Sequence, residues 1–192
     1  MQIQPPNVVI QTGPSGVAVF PTVGVTVSQL VFWTNKDTQP HFPVPVKPVD
    51  AFKLPGPIAP GTTSNTQAPG SSAPALKQGE VFQVTYACSL QPAATGILEI
   101  VNDFYVPKSQ LTITRNPDNT IPTTNLITGG KPNYTVKVQF SELPDTIDMQ
   151  DGGPDGPQLT GHSAQPGTFL LSITVQDALS NVLTDTLQIT IV

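Results

Sequence analysis

Residues 86–100 read YACSLQPAATGILEI. The residues just before them, GEVFQVTYAC, set Phe82, Val84 and Tyr86 in alternation with Gln83 and Thr85, the period of a half-buried strand. Cys88 lies on that strand, and after Ser89 and Leu90 the chain places a glutamine, Gln91. Cys88 is the only cysteine, so no internal disulfide forms and the redox compartment is unconstrained. A free cysteine on a strand beside a tyrosine reads first as a small core hydrophobe.

The rest of the chain agrees with a β-rich fold. Its 192 residues suffice for one large domain or two small ones. Only 11% are charged, while Pro (22) and Gly (15) are abundant among many Val and Thr. That composition favours short strands separated by turns. The net charge of −5 and the scatter of basic residues exclude a nucleic-acid footprint. No apolar run approaches membrane-spanning length, and no basic-then-apolar export signal follows Met1. A low-charge, Thr- and Pro-rich chain points to a secreted or cell-envelope protein whose signal has been removed or lies outside this chain.

Texture changes near VNDFYVPKSQ, which predicts two domains, residues 1–106 and 107–192. The first holds GVAVF, VTVSQLVFWTN, EVFQVTYAC and GILEIVND. Between His41 and Glu80 it carries a Pro/Gly/Ser/Thr-rich stretch that predicts loop with one edge strand, because proline cannot donate to a ladder. In the second, YTVKVQF predicts Tyr134, Val136, Val138 and Phe140 on one face. TFLLSITVQ groups Phe169, Leu171, Ile173 and Val175. DALSN then turns the chain and VLTDTLQITIV returns as the last strand, a closing hairpin.

Three stretches of the first part occur in a telling order. VFPTVGVTVSQLVFWTNKDTQPHF (19–42) contains Val31, Trp33, Asn35 and Asp37 at alternate positions, followed by His41. IAPGTTS (58–64) supplies a Pro-Gly turn, and GEVFQVTYACSLQPAATGILEIV (79–101) follows. In this order residues 7–102 resemble the cupredoxin, or blue-copper, family. The resemblance implies a Greek-key sandwich in which His41 matches the first copper-binding imidazole and Cys88 the thiolate. Gln91 then stands at the second imidazole. Such copper sites need two imidazoles and a thiolate in one plane with a weak axial ligand. Here no methionine follows, since Ala93, Ala94 and Thr95 occupy the loop; Met149 and His162 both lie in the other domain. The resemblance therefore implies three copper-site positions, His41, Cys88 and Gln91, that do not hold the metal. Gln91 would hydrogen-bond to His41 or to backbone amides instead.

Other chemistry finds little support. No nucleophile elbow, phosphate loop, zincin helix or cysteine pair occurs. Two distant histidines offer few acid–base candidates. DTIDMQDGGPDG gathers Asp145, Asp148, Asp151 and Asp155, but the spacing fails the Ca²⁺-loop pattern and reads as a solvated turn. Trp33 reads as core rather than as a sugar-stacking platform, and Asn133 opens a glycosylation sequon. GTFLLSITVQDALSNVLTDTLQITIV (167–192) resembles the last two strands of bacterial immunoglobulin-like repeats, modules that act as spacers or binding platforms.

The expected fold is all-β: a cupredoxin-like Greek-key sandwich followed by an immunoglobulin-like sandwich. The expected function is a non-catalytic extracellular, periplasmic or cell-envelope module that binds a protein or surface partner, with no cofactor and no membrane span. Its first candidate recognition surface is the Pro-rich 43–75 stretch. The rival expectation is copper-binding electron transfer or copper storage through His41 and Cys88, and a third is an assembly subunit.

Overall fold

The structure, a computed structural model, describes residues 5–151 and 155–192. The chain is all-β and divides into two compact units after Asp103. Phe104 and Val106 pack with the core of the second unit.

The first unit is built from two sheets. One joins β1 (Asn7–Thr12), β2 (Ala18–Val19) and β4 (Phe32–Asn35) in the order β2-β1-β4. The other joins β3 (Val23–Thr26), β5 (Pro43–Lys47), β6 (Val81–Cys88) and β7 (Gln91–Val101) in the order β3-β7-β6-β5. Each sheet contains one parallel pair, β1 with β4 and β3 with β7. Parallel neighbours cannot be joined by a tight turn, so the chain crosses between sheets. β6 and β7 form the one long hairpin, closed at Ser89 and Leu90.

The alternation in the sequence becomes the core. Val84, Tyr86 and Cys88 of β6 point inward, as do Ala94, Leu98 and Ile100 of β7. Trp33 and Tyr86 are the largest fully buried side chains of this unit. Their rings meet edge-on at 5.8 Å, with Phe20 edge-on to Tyr86 at 5.6 Å and Phe52 tilted over Trp33 at 4.7 Å. Edge-to-face packing of this kind adds about 0.5–1.5 kcal/mol per pair beyond burial. Trp33 Nε1 and the Tyr86 hydroxyl have no aligned partner among the described residues. Burial raises the Tyr86 pKa, and the nearby indole N–H offsets only part of that rise.

The Pro-rich stretch is packed. After β5 it buries Ala51, Phe52, Leu54 and Ile58. It then runs back beside β4 through isolated bonds: Asn35 N to Thr62 O, Ser64 N to Trp33 O, and a reciprocal pair between Val31 and Gln67. With prolines removing donors, it covers the edge of β4 without forming a regular strand.

In the second unit the order β10-β13-β14-β8 uses β8 (Gln110–Ile113), β10 (Thr135–Ser141), β13 (Gly167–Gln176) and β14 (Val182–Ile191). The facing sheet, in the order β11-β12-β9, uses β9 (Thr120–Asn125), β11 (Ile147–Gln150) and β12 (Gln158–His162). Leu171, Ile173 and Val175 are buried against Leu183, Leu187 and Ile189. The β13–β14 turn is held by Asp177, whose carboxylate accepts from the N–H groups of Leu179 and Asn181.

β10 departs from the expected single apolar face. Its register against β13 shifts between Val138 and Phe140. Val138, before the shift, is already 46% exposed; beyond it one extra residue reverses the alternation, so Phe140 pairs with Ser172 and is 51% exposed. The aspartate-rich stretch is partly strand: Asp148 lies on β11. Asp145, Asp148, Asp151 and Asp155 are all exposed, whereas Gly152, Gly153 and Pro154 lie outside the described residues.

Gly96, opposite Tyr86 on β7, shows how tightly the first core is built. A Cβ there would collide with Tyr86 Cζ and lie 2.8 Å from Phe20 Cβ. Overpacking of this kind costs about 1–3 kcal/mol. Gly96→Ala is expected to destabilise the first unit by about that amount, read from its urea unfolding midpoint.

Candidate metal centre

The site begins at the end of β4. Asn35 is fully buried, and its amide nitrogen donates to the carbonyls of Gln39 and Ile58. Its amide oxygen accepts from Asp37 N. These bonds fold residues 35–41 into a fixed loop and carry Asp37 and His41 inward. His41 is then pinned by a reciprocal backbone pair with Ile58.

Asp37 Oδ2 lies 2.8 Å from His41 Nε2, and both side chains are buried. Asp37 Oδ1 accepts from the Thr12 hydroxyl of β1 and from Thr38 N. The Thr12 hydroxyl, then His41, then Thr38 N hold the Asp37 carboxyl at about 2, against the opposing effect of burial. An ionised carboxylate only accepts, so Nε2 of His41 carries a proton. The other ring nitrogen, Nδ1, faces Cys88 Sγ at 3.5 Å. Cys88 is fully buried, and its sulfur also accepts from Phe42 N at 3.4 Å.

The fold thus brings His41 and Cys88 together and turns Gln91 elsewhere. The Gln91 side-chain oxygen accepts from Ala18 N of β2 at 2.9 Å. Alternation along a strand is blind to this choice, since it depends on where β2 lies. Asp37, Thr12 and the Phe42 N–H are the partners that sequence reasoning did not assign. The spacing of Asp37 and His41, four residues apart, was the signal available for the first.

The donor set can be tested against copper. An ion about 2.0 Å from a nitrogen and about 2.3 Å from a sulfur, as in zinc sites, spans a separation of about 3.5 Å at roughly a tetrahedral angle. His41 Nδ1 and Cys88 Sγ stand at that separation. A blue-copper plane requires a second imidazole. Among the described residues no group of three or more His, Cys, Asp or Glu side chains is placed to hold a metal ion. The remaining candidate, the Gln91 amide oxygen, is already bonded to Ala18. The residues present supply two strong donors and do not fit a blue-copper centre. Met149 and His162 belong to the second unit, on β11 and β12.

No protein-family model matches the chain, and no curated protein matches it. Solved structures do. A purple cupredoxin from Nitrosopumilus maritimus is similar over 50% of this chain and 98% of its own, at 18% identity and a TM-score of 0.35. The Cu(I) form of an amicyanin variant is similar over 52% of this chain and 86% of its own, at 14% identity and a TM-score of 0.32. An endo-fucoidan hydrolase of glycoside hydrolase family 107 is similar over 91% of this chain and 27% of its own, at 12% identity and a TM-score of 0.37. At these TM-scores none of the likenesses bears weight on function. The class defined by strand order and packing is a two-unit all-β protein with cupredoxins among its structural neighbours.

The buried carboxylate makes a prediction about acid. Asp37 is depressed in the folded chain from its ordinary 3.8 to about 2. Its contribution to stability is present above the unfolded pKa and is lost as pH falls through the folded one, across roughly pH 4 to 2. Converted directly, the shift is an upper limit of about 2 kcal/mol, which solvent screening reduces. Asp37→Asn is expected to lower stability at pH 7 by no more than that and to flatten the acid limb, measured by denaturant unfolding at stepped pH.

Proposed function

We propose that the chain is a non-catalytic secreted or cell-envelope module that binds or displays a partner and works without copper. In this reading its first unit is a cupredoxin-like sandwich and its second an immunoglobulin-like one. One observation carries the proposal. Among the described residues, His41 and Cys88 alone converge as strong donors, while the residue at the second imidazole position spends its side chain on the backbone of β2. A rigid sandwich with a closed metal position retains what loops need for recognition, a fixed platform.

The Pro-rich 43–75 segment remains the first candidate surface. It borders a groove of about 350 Å³ lined by Phe42, Val44, Pro45, Val49 and Phe52, with Lys53 at its margin. Val49 of the groove is 77% exposed, and Val46, elsewhere on β5, is 54% exposed. Apolar side chains on a proline-stiffened segment lose little entropy on binding, which suits a protein or surface partner. Low charge and abundant Pro and Thr support an extracellular or envelope setting. No helix among the described residues is long and apolar enough to cross a membrane.

A second reading is favoured by one distance. The 3.5 Å between His41 Nδ1 and Cys88 Sγ would suit a copper carrier or storage protein that takes its third ligand from elsewhere. Titrating the purified full chain with Cu(II) separates the two. The expected outcome is no intense visible thiolate-to-copper band. A stoichiometric band that disappears in Cys88→Ser establishes the carrier and overturns the proposal.

A further inference from the structure

The misfit between donor set and copper has its own structural content. We infer that the Gln91 carboxamide is a clamp that closes one end of the first sandwich, standing where the family resemblance expects a ligand, and that Cys88 and His41 satisfy one another behind it. This rests on the copper-free reading above and adds what the same residues do in the metal's place.

Gln91 opens β7, in the sheet that also holds β6, whereas Ala18 lies on β2, in the opposite sheet. The Gln91–Ala18 bond therefore ties the two sheets together. Beyond the Gly13 N to Val17 O bond of its turn and the burial of Ala18 in the core, β2 has few backbone partners. It is two residues long, and its ladder with β1 consists of Gln11–Val19 and Thr12–Ala18. A strand that short is held by what fastens its ends. The fastening also places Phe20, two residues beyond Ala18. The Phe20 ring is buried and stands edge-on to His41 at 5.9 Å and to Tyr86 at 5.6 Å. Gln91 acts on the site as a positioning residue: it holds Ala18, and Ala18 seats the aromatic ring that covers the imidazole.

A second polar link crosses the same gap. Thr12 of β1 donates to Asp37, Asp37 accepts from His41 Nε2, and His41 Nδ1 faces the thiol of Cys88 on β6. Each buried polar atom of this relay has a partner within the protein. A site emptied of its metal would leave a ring nitrogen or a sulfur unmatched, at the cost that accompanies an unsatisfied buried group. Here the thiol takes the imidazole's free valence and the carboxamide takes the backbone N–H of β2.

Hydrogen exchange at the Ala18 amide in the full chain, with metal removed by chelation, tests this. The clamp predicts a slow Ala18 amide in the wild type, at least tenfold faster exchange in Gln91→Ala, and restored protection in Gln91→Glu, which keeps an acceptor oxygen. Amides of β6 and β7 serve as the reference for general loosening and are expected to stay protected in all three. Equal Ala18 exchange in wild type and Gln91→Ala would overturn the inference. So would loss of Ala18 protection in the wild type on adding one equivalent of copper, because Gln91 would then be leaving the strand to serve the ion. A copper–thiolate band with Ala18 still protected defeats the copper-free reading and the His41–Cys88 pairing, and leaves the Gln91–Ala18 clamp standing. An unprotected Ala18 without such a band does the reverse.

Discussion

A buried imidazole has two nitrogens to satisfy, and the first unit is arranged around that requirement. His41 is almost fully buried. Its Nε2 is met by a carboxylate that the Thr12 hydroxyl and Thr38 N hold ionised, and its Nδ1 is met by a thiol. Leaving either side unpaired would cost about 1–3 kcal/mol. The residues that discharge this debt come from β1, from the loop after β4 and from β6. The imidazole therefore sits where elements of both sheets meet.

The aromatic core beneath this junction explains its narrow tolerances. Trp33, Tyr86, Phe52 and Phe20 interlock at ring distances of 4.7–5.9 Å. Gly96 leaves no room for a methyl group against Tyr86. The Phe20 ring touches the polar junction on one side and the aromatic cluster on the other. Displacement of β2 is thus felt in both. A packed interior transmits such shifts because it has no slack to absorb them. The second unit answers the same demands with different means: a carboxylate, Asp177, caps its closing hairpin, and the Tyr134 hydroxyl donates to Gly129 O.

Much of this was legible along the chain, for identifiable reasons. Val84, Tyr86, Leu171, Ile173 and Val175 alternate with more exposed neighbours, and alternation reports which face of a strand is buried wherever the ladder is regular. It misplaced Phe140 because a bulge in β10 inserts a residue, and nothing in TVKVQFS announces one. The Pro-rich stretch was legible as non-ladder. Its packing against β4 was not, because the hydrogen bonds that hold it come from residues some 30 positions away, such as Val31 with Gln67.

At the candidate centre the boundary is sharper. Residue types alone show that His41, Cys88 and Gln91 offer one imidazole, one thiolate and a carboxamide, where a blue-copper plane uses two imidazoles and a thiolate. The convergence of His41 on Cys88 across 47 positions, the carboxylate behind the imidazole and the turn of Gln91 toward Ala18 belong to the folded chain. Donor chemistry is a property of each side chain, readable one residue at a time. Which partner a donor finds depends on distances set by two sheets closing on one another, and those exist only after folding.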